Sequence, residues 1–295
     1  MKKKIAGILK RKANSHKGDY GHVFVIAGSA GLTGAAYLTS QAAILSGSGL
    51  VTLGIPKSLN TIMARKLTEV MTKLLPETKS RSLSKKAFGE IKKFSEKADV
   101  LAIGPGLSCN KETQTLVRKI VSSVKLPKVI DADGLNALVE HLNILKGIRD
   151  TGYGIRLVLT PHEGEMARLI NKTRDFVHKN RKKVAKEFSK KYNVILVLKG
   201  HRTVVAGPEG RTYINKTGNP GMASGGVGDV LTGIIASLIG QGLSGFDAAK
   251  LGVYAHGLAG DLAAKEKGQF SLIATDLLNK LPLVLRKLEY SFKEG

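Results

Sequence analysis

Residues 23–45 of the chain read VFVIAGSAGLTGAAYLTSQAAIL. This stretch opens with an apolar run, Val23–Ala27, continues through a glycine-containing turn, Gly28–Gly34, and ends in a segment with helical spacing, Ala35–Leu45. A short apolar run that ends at glycine predicts a buried strand, and the longer run predicts a helix. The stretch therefore predicts a strand–loop–helix unit of an α/β fold.

The same alternation recurs along the chain. Further strands are predicted at Leu50–Ile55, Val100–Ile103, Lys128–Asp131, Arg156–Thr160 and Val194–Leu198, and further helices at Ser84–Lys97, Lys111–Val124 and Asp175–Lys190. Alternating strands and helices predict a mainly parallel central sheet flanked by helices on both faces. Thr203–Ala206 and Arg211–Asn215 flank Gly207–Gly210 and predict a β-hairpin at the sheet edge. The rest of the C-terminal third is predicted to be helical, and one domain is expected over residues 1–295.

Composition restricts the compartment and the class of protein. With 295 residues and 42% hydrophobic content, the chain is large enough to bury the core of one α/β domain. Cys109 is the single cysteine, so an internal disulfide is excluded, and the sequence contains no Cys/His cluster with metal-ligand spacing. The apolar stretch Ile5–Leu9 is too short for a signal peptide, and no apolar run reaches the length of a spanning helix. We expect a cytoplasmic protein without membrane association.

The formal net charge of +24 raises the question of an anionic partner. Basic residues are spread along the chain, and aromatic residues, at 5%, do not interleave with the basic runs as a nucleic-acid stacking platform requires. A solvated basic surface is the favoured interpretation, and nucleic acid is not expected as a partner. A basic module that binds nucleic acid or acidic membranes remains an alternative class of function.

Glycines and polar residues follow several of the predicted strands. Gly28–Gly34, Gly104–Gly106 and Pro161–Glu165 each come directly after a strand. In parallel sheets, ligands bind outside the carboxyl ends of the strands. These segments therefore predict the edge of the sheet at which the site lies.

The densest chemical signal is the segment Asn219–Asp229, which runs directly into the apolar segment Val230–Ile239. The glycines at 225, 226 and 228 let backbone N–H groups converge, and the following helix adds the positive end of its dipole. The segment predicts an anion hole for phosphate. Asp229 is either a helix cap or a catalytic base that accepts the proton of an attacking hydroxyl, and the surrounding glycines favour the base.

Two common nucleotide motifs do not explain this segment. The sequence contains no Gly-x-x-x-x-Gly-Lys-Ser/Thr, so a P-loop is not predicted. The dinucleotide-type match Gly240–Gly245 follows a predicted helix instead of a strand, and we interpret it as a chance match.

An ordered set of motifs along nearly the whole chain resembles the ADP/ATP-dependent NAD(P)H-hydrate dehydratases, which have a ribokinase-like fold. The motifs are Lys17–His22, Ala27–Ser29 with Gly34–Ala36, Gly104–Leu107, Asp131–Asn136, Leu159–Glu165, Lys199–Thr203 and the glycine loop. The resemblance implies a lyase that repairs hydrated NADH or NADPH (the S-epimer). In that reaction ADP or ATP phosphorylates the 6-hydroxyl, and elimination of phosphate regenerates NAD(P)H.

The resemblance also implies roles for individual residues. Asp229 is implied as the catalytic base and a substrate contact, and Glu165 as a residue that organises Mg²⁺ through water. Nucleotide contacts are implied for Lys199, Gly200, His201, Arg202, Thr203, Gly225, Gly226, Val227 and Gly228, and hydrated-cofactor contacts for Ala36, Gly106 and His162. Simpler interpretations remain open for four of these residues: capping a turn for His162, a strand-end charge for Lys199, helix packing for Ala36 and a surface role for Glu165.

The chain departs from the family pattern at two positions. Ser224 and Val227 stand where the family usually has threonine; serine keeps the hydroxyl, whereas valine keeps only the backbone N–H. The resemblance implies a stand-alone form without the epimerase domain that many relatives carry, a preference for ADP, and a homo-oligomer such as a tetramer. The alternative enzyme is a kinase of a vitamin precursor of the hydroxyethylthiazole or hydroxymethylpyrimidine type.

Overall fold

Nine strands form one sheet in the part of the chain that this computed structural model describes, residues 7–146 and 157–291. The strands are β1 (His22–Ile26), β2 (Leu50–Pro56), β3 (Met71–Leu75), β4 (Val100–Ile103), β5 (Lys128–Ile130), β6 (Leu157–Leu159), β7 (Ile195–Leu198), β8 (Val204–Ala206) and β9 (Thr212–Ile214). Their order across the sheet is β3-β2-β1-β4-β5-β6-β7-β8-β9. Strands β1–β7 pair in parallel, and β8 and β9 continue the sheet in antiparallel pairing.

Helices connect and cover the strands. Within the described residues they are α1 (Thr33–Leu45), α2 (Asn60–Lys66), α3 (Phe88–Ser95), α4 (Lys111–Ser123), α5 (Ala132–Asn136), α6 (Asn143–Lys146), α7 (Glu163–Ile170), α8 (Arg174–Lys179), α9 (Arg181–Tyr192), α10 (Val227–Gly240), α11 (Gly245–Lys267) and α12 (Ala274–Ser291). None of these helices combines the length and the apolar character needed to cross a membrane.

The sheet is buried on both faces, which gives three layers. Along β1, Val23 and Val25 face the core formed with α1, α10, α11 and α12, whereas Phe24 and Ile26 face the core formed with α3, α4, α7 and α9. Successive side chains of a strand point to opposite faces, so a strand covered on both sides needs an uninterrupted apolar run. This requirement explains why the apolar runs predicted the central strands.

The strand order reverses between β1 and β4, and this reversal locates the site. From β1 the chain first builds β2 and β3 on one side, and then returns to place β4 on the other side. Such a switch point opens a crevice at the carboxyl ends of the strands. The Gly28 N–H donates to the Pro105 carbonyl at 2.9 Å, which ties together the two loops that border this crevice.

Most predicted elements are confirmed, with small shifts at their ends. The predicted hairpin is present as β8 and β9 at one edge of the sheet, and the C-terminal third is helical from α10 onward. The strand predicted to begin at Arg156 is described only from Leu157, because Arg156 lies outside the described residues. The single domain over 1–295 extends beyond the described residues and stays a prediction.

Several elements differ from the predictions. The helix predicted over Asp175–Lys190 is wrong as one element, because Asn180 separates α8 from α9 and donates its side-chain amide to the Phe176 carbonyl at 2.9 Å. Asparagine competes in this way for backbone groups and ends helices. Strand β3 was not predicted; it lies at the sheet edge, and its Met71 and Leu74 are exposed. The helix predicted over Ser84–Lys97 begins as a 3-10 turn and ends at Ser95.

Helix α10, which begins at the predicted site, packs closely against α1. Gly233 lies inside α10, and a Cβ at this position would overlap the Thr39 carbonyl oxygen of α1. A side chain here would force the two helices apart. The start of α10 therefore depends on a close contact between helix backbones.

We predict that Gly233→Ala lowers the free energy of unfolding by roughly 2 kcal/mol, because overpacking outweighs the better helix propensity of alanine. Gly89→Ala in α3 is the matched control, since a Cβ at Gly89 meets no atom within 4 Å. The control is expected to leave stability unchanged or to raise it by up to about 1 kcal/mol. Urea unfolding measures both variants, and a Gly233→Ala protein as stable as wild type would contradict the packing described here.

Candidate active site

The predicted glycine loop forms the entry to α10. We call residues 224–229 the anion loop. Gly226 precedes the first residue of α10 with a left-handed φ of 87°, and a Cβ there would overlap the Leu38 side chain. The N–H groups in the first turn of a helix lack intrahelical acceptors, and the helix dipole makes this end positive. The anion loop therefore has the backbone geometry that binds phosphate.

Asp229 is not the cap of α10. The N-cap position is occupied by Gly226, without a side-chain capping bond, and Asp229 is the third residue of the helix. The capping interpretation of Asp229 is therefore wrong. Its carboxyl group lies in the first turn of α10, next to the N–H groups of the anion loop.

A buried ion pair lies beneath the anion loop. Lys199 directly follows β7, and its Nζ lies 2.6 Å from Asp131 Oδ1 and 3.9 Å from Glu165 Oε2. Asp131 directly follows β5, is only 1% exposed, and accepts a second bond from Thr232 Oγ1 of α10 at 2.8 Å. A Cβ at Gly228 would lie 3.2 Å from the Lys199 Nζ. Lys199 is therefore part of the site, and the interpretation as an ordinary strand-end charge is not supported.

Asp229 of the anion loop and the neighbouring Lys199 both have shifted pKa values. Burial raises the pKa of Asp229, the negative charge of Asp131 adds to this, the positive charge of Lys199 opposes it, and the resulting pKa is about 7. Burial lowers the pKa of Lys199, but the carboxylates of Asp131 and Glu165 more than offset this, and its pKa lies above the ordinary value. Lys199 is therefore charged at neutral pH, while Asp229 changes its protonation state there.

His162 and Glu165 form a capping box at the start of α7. The Nδ1 of His162 accepts bonds from the N–H groups of Gly164 at 3.0 Å and Glu165 at 3.3 Å, and Glu165 Oε2 accepts from the His162 N–H at 2.8 Å. Burial and the charge of Lys199 lower the pKa of His162, so the ring is neutral. The capping interpretation of His162 is confirmed. Its side chain is 54% exposed, and its contact with a substrate stays a prediction.

The other predicted site residues lie around this centre. Gly106 has a φ of 64° and approaches the first turn of α1, while its carbonyl accepts a bond from Ser29 Oγ at 2.8 Å. Ala36 is fully buried in α1, and its methyl group packs in the core, which agrees with the helix-packing interpretation. A substrate contact of Ala36 stays a prediction.

The segment Lys199–Thr203 turns from β7 into β8. Gly200 is exposed with a φ of 138°, and His201 and Arg202 are exposed after it. Thr203 Oγ1 donates to the Gly200 carbonyl at 3.0 Å, which closes the turn. The structure thus brings together Lys199, Glu165 and the anion loop, whereas the nucleotide contacts of residues 200–203 stay predictions.

Several residues that organise the site were not among the predicted site residues. Asp131 lay within a recognised motif, and its place at the end of an apolar strand was a signal in the sequence. Thr232 and Arg181 gave no such signal in the sequence. Arg181 NH2 donates to the Leu198 carbonyl at 3.0 Å, and its guanidinium also pairs with Glu163 of α7. These contacts join residues far apart in the chain, so only the fold reveals them.

The described residues contain no group of three His, Cys, Asp or Glu side chains arranged to hold a metal ion. Glu165 is the carboxylate for which a metal role was predicted. It is buried, its pKa is raised mainly by burial, and its oxygens already face the His162 N–H and Lys199. This arrangement suits a contact through water better than direct coordination.

A protein-family model described as NAD(P)H-hydrate dehydratase matches residues 23–283. Among curated proteins, the bifunctional NAD(P)H-hydrate repair enzyme Nnr of Moorella thermoacetica is 50% identical over 280 residues, which cover 95% of this chain and 52% of that protein. The Nnr enzyme of Escherichia coli K12 is 38% identical over 275 residues, which cover 93% and 49%. The chain therefore spans about half the length of the curated relatives that it matches.

Solved structures share the fold. The ADP/ATP-dependent NAD(P)H-hydrate dehydratase from Bacillus subtilis, co-crystallised with ATP/Mg²⁺, superimposes with a TM-score of 0.80 at 30% identity, covering 98% of this chain and 97% of that one. Arabidopsis thaliana ribokinase, at 11% identity and a TM-score of 0.55 over 90% of this chain and 99% of that one, shares the fold alone. The predicted ribokinase-like sandwich is confirmed. With the family match extending from β1 into α12, the chain belongs to the NAD(P)H-hydrate dehydratase family.

Proposed function

We propose that this chain dehydrates the S-epimer of hydrated NADH or NADPH at the expense of ADP or ATP. The observation that carries this proposal is the position of Asp229, a partly buried carboxyl group with a pKa of about 7 in the first turn of α10. A base with this pKa accepts a proton efficiently at neutral pH, and the neighbouring N–H groups are suited to a phosphate. Membership of the NAD(P)H-hydrate dehydratase family supports this substrate class.

The proposed reaction has two steps. The 6-hydroxyl oxygen of the hydrated ring attacks the terminal phosphorus of the nucleotide, its proton passes to Asp229, and the shortened nucleotide leaves. The carbon–oxygen bond then breaks and releases phosphate, while the adjacent ring carbon gives up a proton to solvent and the ring double bond returns. Phosphorylation thus converts a poor leaving group into a good one.

The other groups of the site are proposed to stabilise the negative charge of the phosphoryl group and not to transfer protons. The N–H groups of the anion loop and the Lys199 ammonium are suited to stabilising the negative charge that develops on the transferred phosphoryl group. Lys199 is held for this role by Asp131, at 2.6 Å, so its position does not depend on the nucleotide. The Val227 N–H already donates to the Ser224 carbonyl at 3.4 Å, so we propose that the other N–H groups of the loop form the anion hole, without the hydroxyl that a threonine would add at this position.

Mg²⁺ fits this site as an ion that arrives with the nucleotide. Mg²⁺ keeps several waters and is commonly held by one or two carboxylates together with phosphates, which agrees with a site that offers Glu165 but no cage of protein ligands among the described residues. When bound, the ion would neutralise phosphate charge. The B. subtilis relative was co-crystallised with ATP/Mg²⁺. Glu165 is the residue we propose to hold it through water.

The finer assignments follow the family resemblance. Residues 199–203 are proposed to contact the adenine nucleotide together with the anion loop, and Ala36, Gly106 and His162 the hydrated cofactor. Gly106 and His162 support this because both follow strands at the carboxyl edge of the sheet, where Asp229 also lies. For Ala36 the contact would be through its backbone, since its side chain is buried. A cytoplasmic homo-oligomer, such as a tetramer, is proposed as the working form.

We predict that the purified protein, supplied with hydrated NADH, Mg²⁺ and either ADP or ATP, restores the NADH absorbance and releases one phosphate for each NADH formed. Parallel assays with hydroxyethylthiazole and hydroxymethylpyrimidine test the alternative kinase function. The hydroxyethylthiazole kinase of Pyrococcus horikoshii shares only the fold, at 15% identity and a TM-score of 0.62. Phosphorylation of a vitamin alcohol without recovery of NADH would replace the dehydratase proposal.

We predict that Asp229→Asn lowers kcat by at least about 10³-fold, because the amide cannot accept the hydroxyl proton. The same variant should be more stable than wild type above pH 7. The folded-state pKa of Asp229 is raised to about 7, so ionising this group opposes folding as the pH rises from about 4 to 7, and asparagine avoids this cost.

Thermal unfolding at several pH values measures this stability difference. The gain of Asp229→Asn over wild type is expected to be largest above pH 7, at up to about 4 kcal/mol, and to shrink towards pH 4. Glu209→Gln, an exposed carboxylate in the hairpin, is the control and should change neither kcat nor the pH dependence. A folded Asp229→Asn protein with near-normal turnover would show that the base assignment is wrong.

We predict that kcat rises about tenfold per pH unit below pH 7 and levels off above it. Asp229 must be deprotonated to act as the base, and its pKa is about 7. Single-turnover phosphorylation between pH 5 and 9 measures this profile without interference from product release. A rate that is constant from pH 5 to 9 would contradict a base with this pKa.

A further inference from the structure

A buried histidine of α11 contacts the anion loop. His256 lies in the middle of α11 and is only 8% exposed, and its Nε2 lies 2.8 Å from the carbonyl oxygen of Val227. Val227 is the first residue of α10 and part of the anion loop. The reaction proposed above does not use this histidine, and its contact is with the loop itself.

The imidazole is a hydrogen-bond donor in this position. Burial lowers the pKa of His256 to about 4, and the charge of Lys199 adds to the lowering, so the ring is neutral at physiological pH. A carbonyl oxygen only accepts, and therefore the single N–H of the neutral ring is on Nε2. The donor is thus present at any pH at which the enzyme is expected to work.

The same helix also holds the segment that leads into the anion loop. Asn215 Nδ2 donates to the Val253 carbonyl at 2.9 Å, and Thr217 Oγ1 donates to the Tyr254 carbonyl at 3.0 Å. The Gly218 N–H donates to Asp261 Oδ2 at 2.9 Å. With the bond from His256, both ends of the segment 215–227 are attached to one stretch of α11.

Close packing reinforces this attachment. A Cβ at Gly257 would lie 2.7 Å from the Thr217 carbonyl carbon, and a Cβ at Gly260 would overlap the Met222 side chain. The two glycines flank the turn of α11 that follows His256. The helix surface is therefore shaped to the segment that it holds, and His256 supplies the hydrogen bond at the point where this segment becomes α10.

We propose that His256 is a positioning residue: by donating its Nε2–H to the Val227 carbonyl, it holds the first turn of α10 so that the backbone N–H groups of the anion loop keep the geometry required for phosphoryl transfer. The kinetic part of this inference rests on the proposed function. Helix ends fray readily, and a loop displaced by 1 Å costs a rate factor on the order of 10².

Two substitutions separate the hydrogen bond from the bulk of the side chain. His256→Gln keeps an N–H donor near the position of Nε2, whereas His256→Leu keeps an apolar side chain of similar size and removes the donor. Ser95→Ala is the matched control, because Ser95 is also buried and its Oγ donates to the Ile91 carbonyl at 2.7 Å, in α3 on the other face of the sheet. If His256→Leu does not fold, His256→Met takes its place.

The expected kinetic result is a loss of kcat by about 10- to 100-fold in His256→Leu, with the KM for nucleotide changed less than about threefold, since the loop acts mainly in the transition state. His256→Gln is expected to retain kcat within about fivefold. Ser95→Ala should keep the wild-type kcat even if its melting temperature falls.

Amide hydrogen exchange supplies a readout that does not depend on the reaction. Peptides that cover residues 224–231 are expected to exchange faster in His256→Leu than in wild type, without nucleotide, and to exchange at the wild-type rate in His256→Gln. Wild-type protein that fails to convert hydrated NADH would refute the proposed function, and the exchange experiment would still test the positioning role.

Three results would overturn the inference. These are wild-type exchange of residues 224–231 in folded His256→Leu, equal defects in His256→Gln and His256→Leu, and an equal loss of kcat in Ser95→Ala. The first would show that the bond does not hold the loop. The second would assign the effect to side-chain shape, and the third to general loss of stability.

Discussion

The ion pair between Lys199 and Asp131 is the interaction on which the site depends. It places one ammonium group 2.6 Å from a carboxylate that is almost completely buried, and 3.9 Å from a second carboxylate, Glu165. Removing one partner of a buried pair leaves an uncompensated charge, which typically costs about 3–5 kcal/mol. The pair is therefore both a structural element beneath the anion loop and the main source of fixed charge in the site.

This pair also explains how Asp229 obtains its pKa. Burial raises the pKa of Asp229, and the negative charge of Asp131 acts in the same direction, while Lys199 opposes both. The balance leaves a carboxyl group that titrates near neutrality beside a positive helix terminus. Each participant comes from a different element: Asp131 follows β5, Lys199 follows β7 and Asp229 lies in the first turn of α10. The parallel sheet is what brings these three chain positions to one edge.

Much of this arrangement was predictable from sequence because the determining signals are local. Central strands buried on both faces need continuous apolar runs, so Val100–Ile103 was predicted with its observed ends. The anion loop was predictable because two of its glycines meet local backbone requirements. Gly226 adopts a left-handed conformation, and Gly228 lacks the Cβ that would lie close to Lys199. By contrast, β3 is a half-exposed edge strand without such a run. Its sequence does not distinguish it from a surface segment.

The remaining features depend on contacts between distant parts of the chain. Lys199 and Asp131 are 68 residues apart, and Thr232 lies 101 residues from Asp131. At such separations the spacing in the sequence does not predict that these side chains are in contact. The same holds for His256, 29 residues from Val227. Glycines 257 and 260 are similar, because the need for glycine at these positions is apparent only from the segment 215–227 that packs on them. Sequence patterns predicted which loop carries the chemistry, and the fold reveals what holds that loop in place.

The pKa of Asp229 is measured by carboxyl ¹³C NMR of the protein labelled at aspartate. The resonance that disappears in Asp229→Asn identifies this group. We expect this resonance to titrate with a pKa of about 7 in the protein without nucleotide. A titration near the ordinary aspartate value of 3.8 would contradict it.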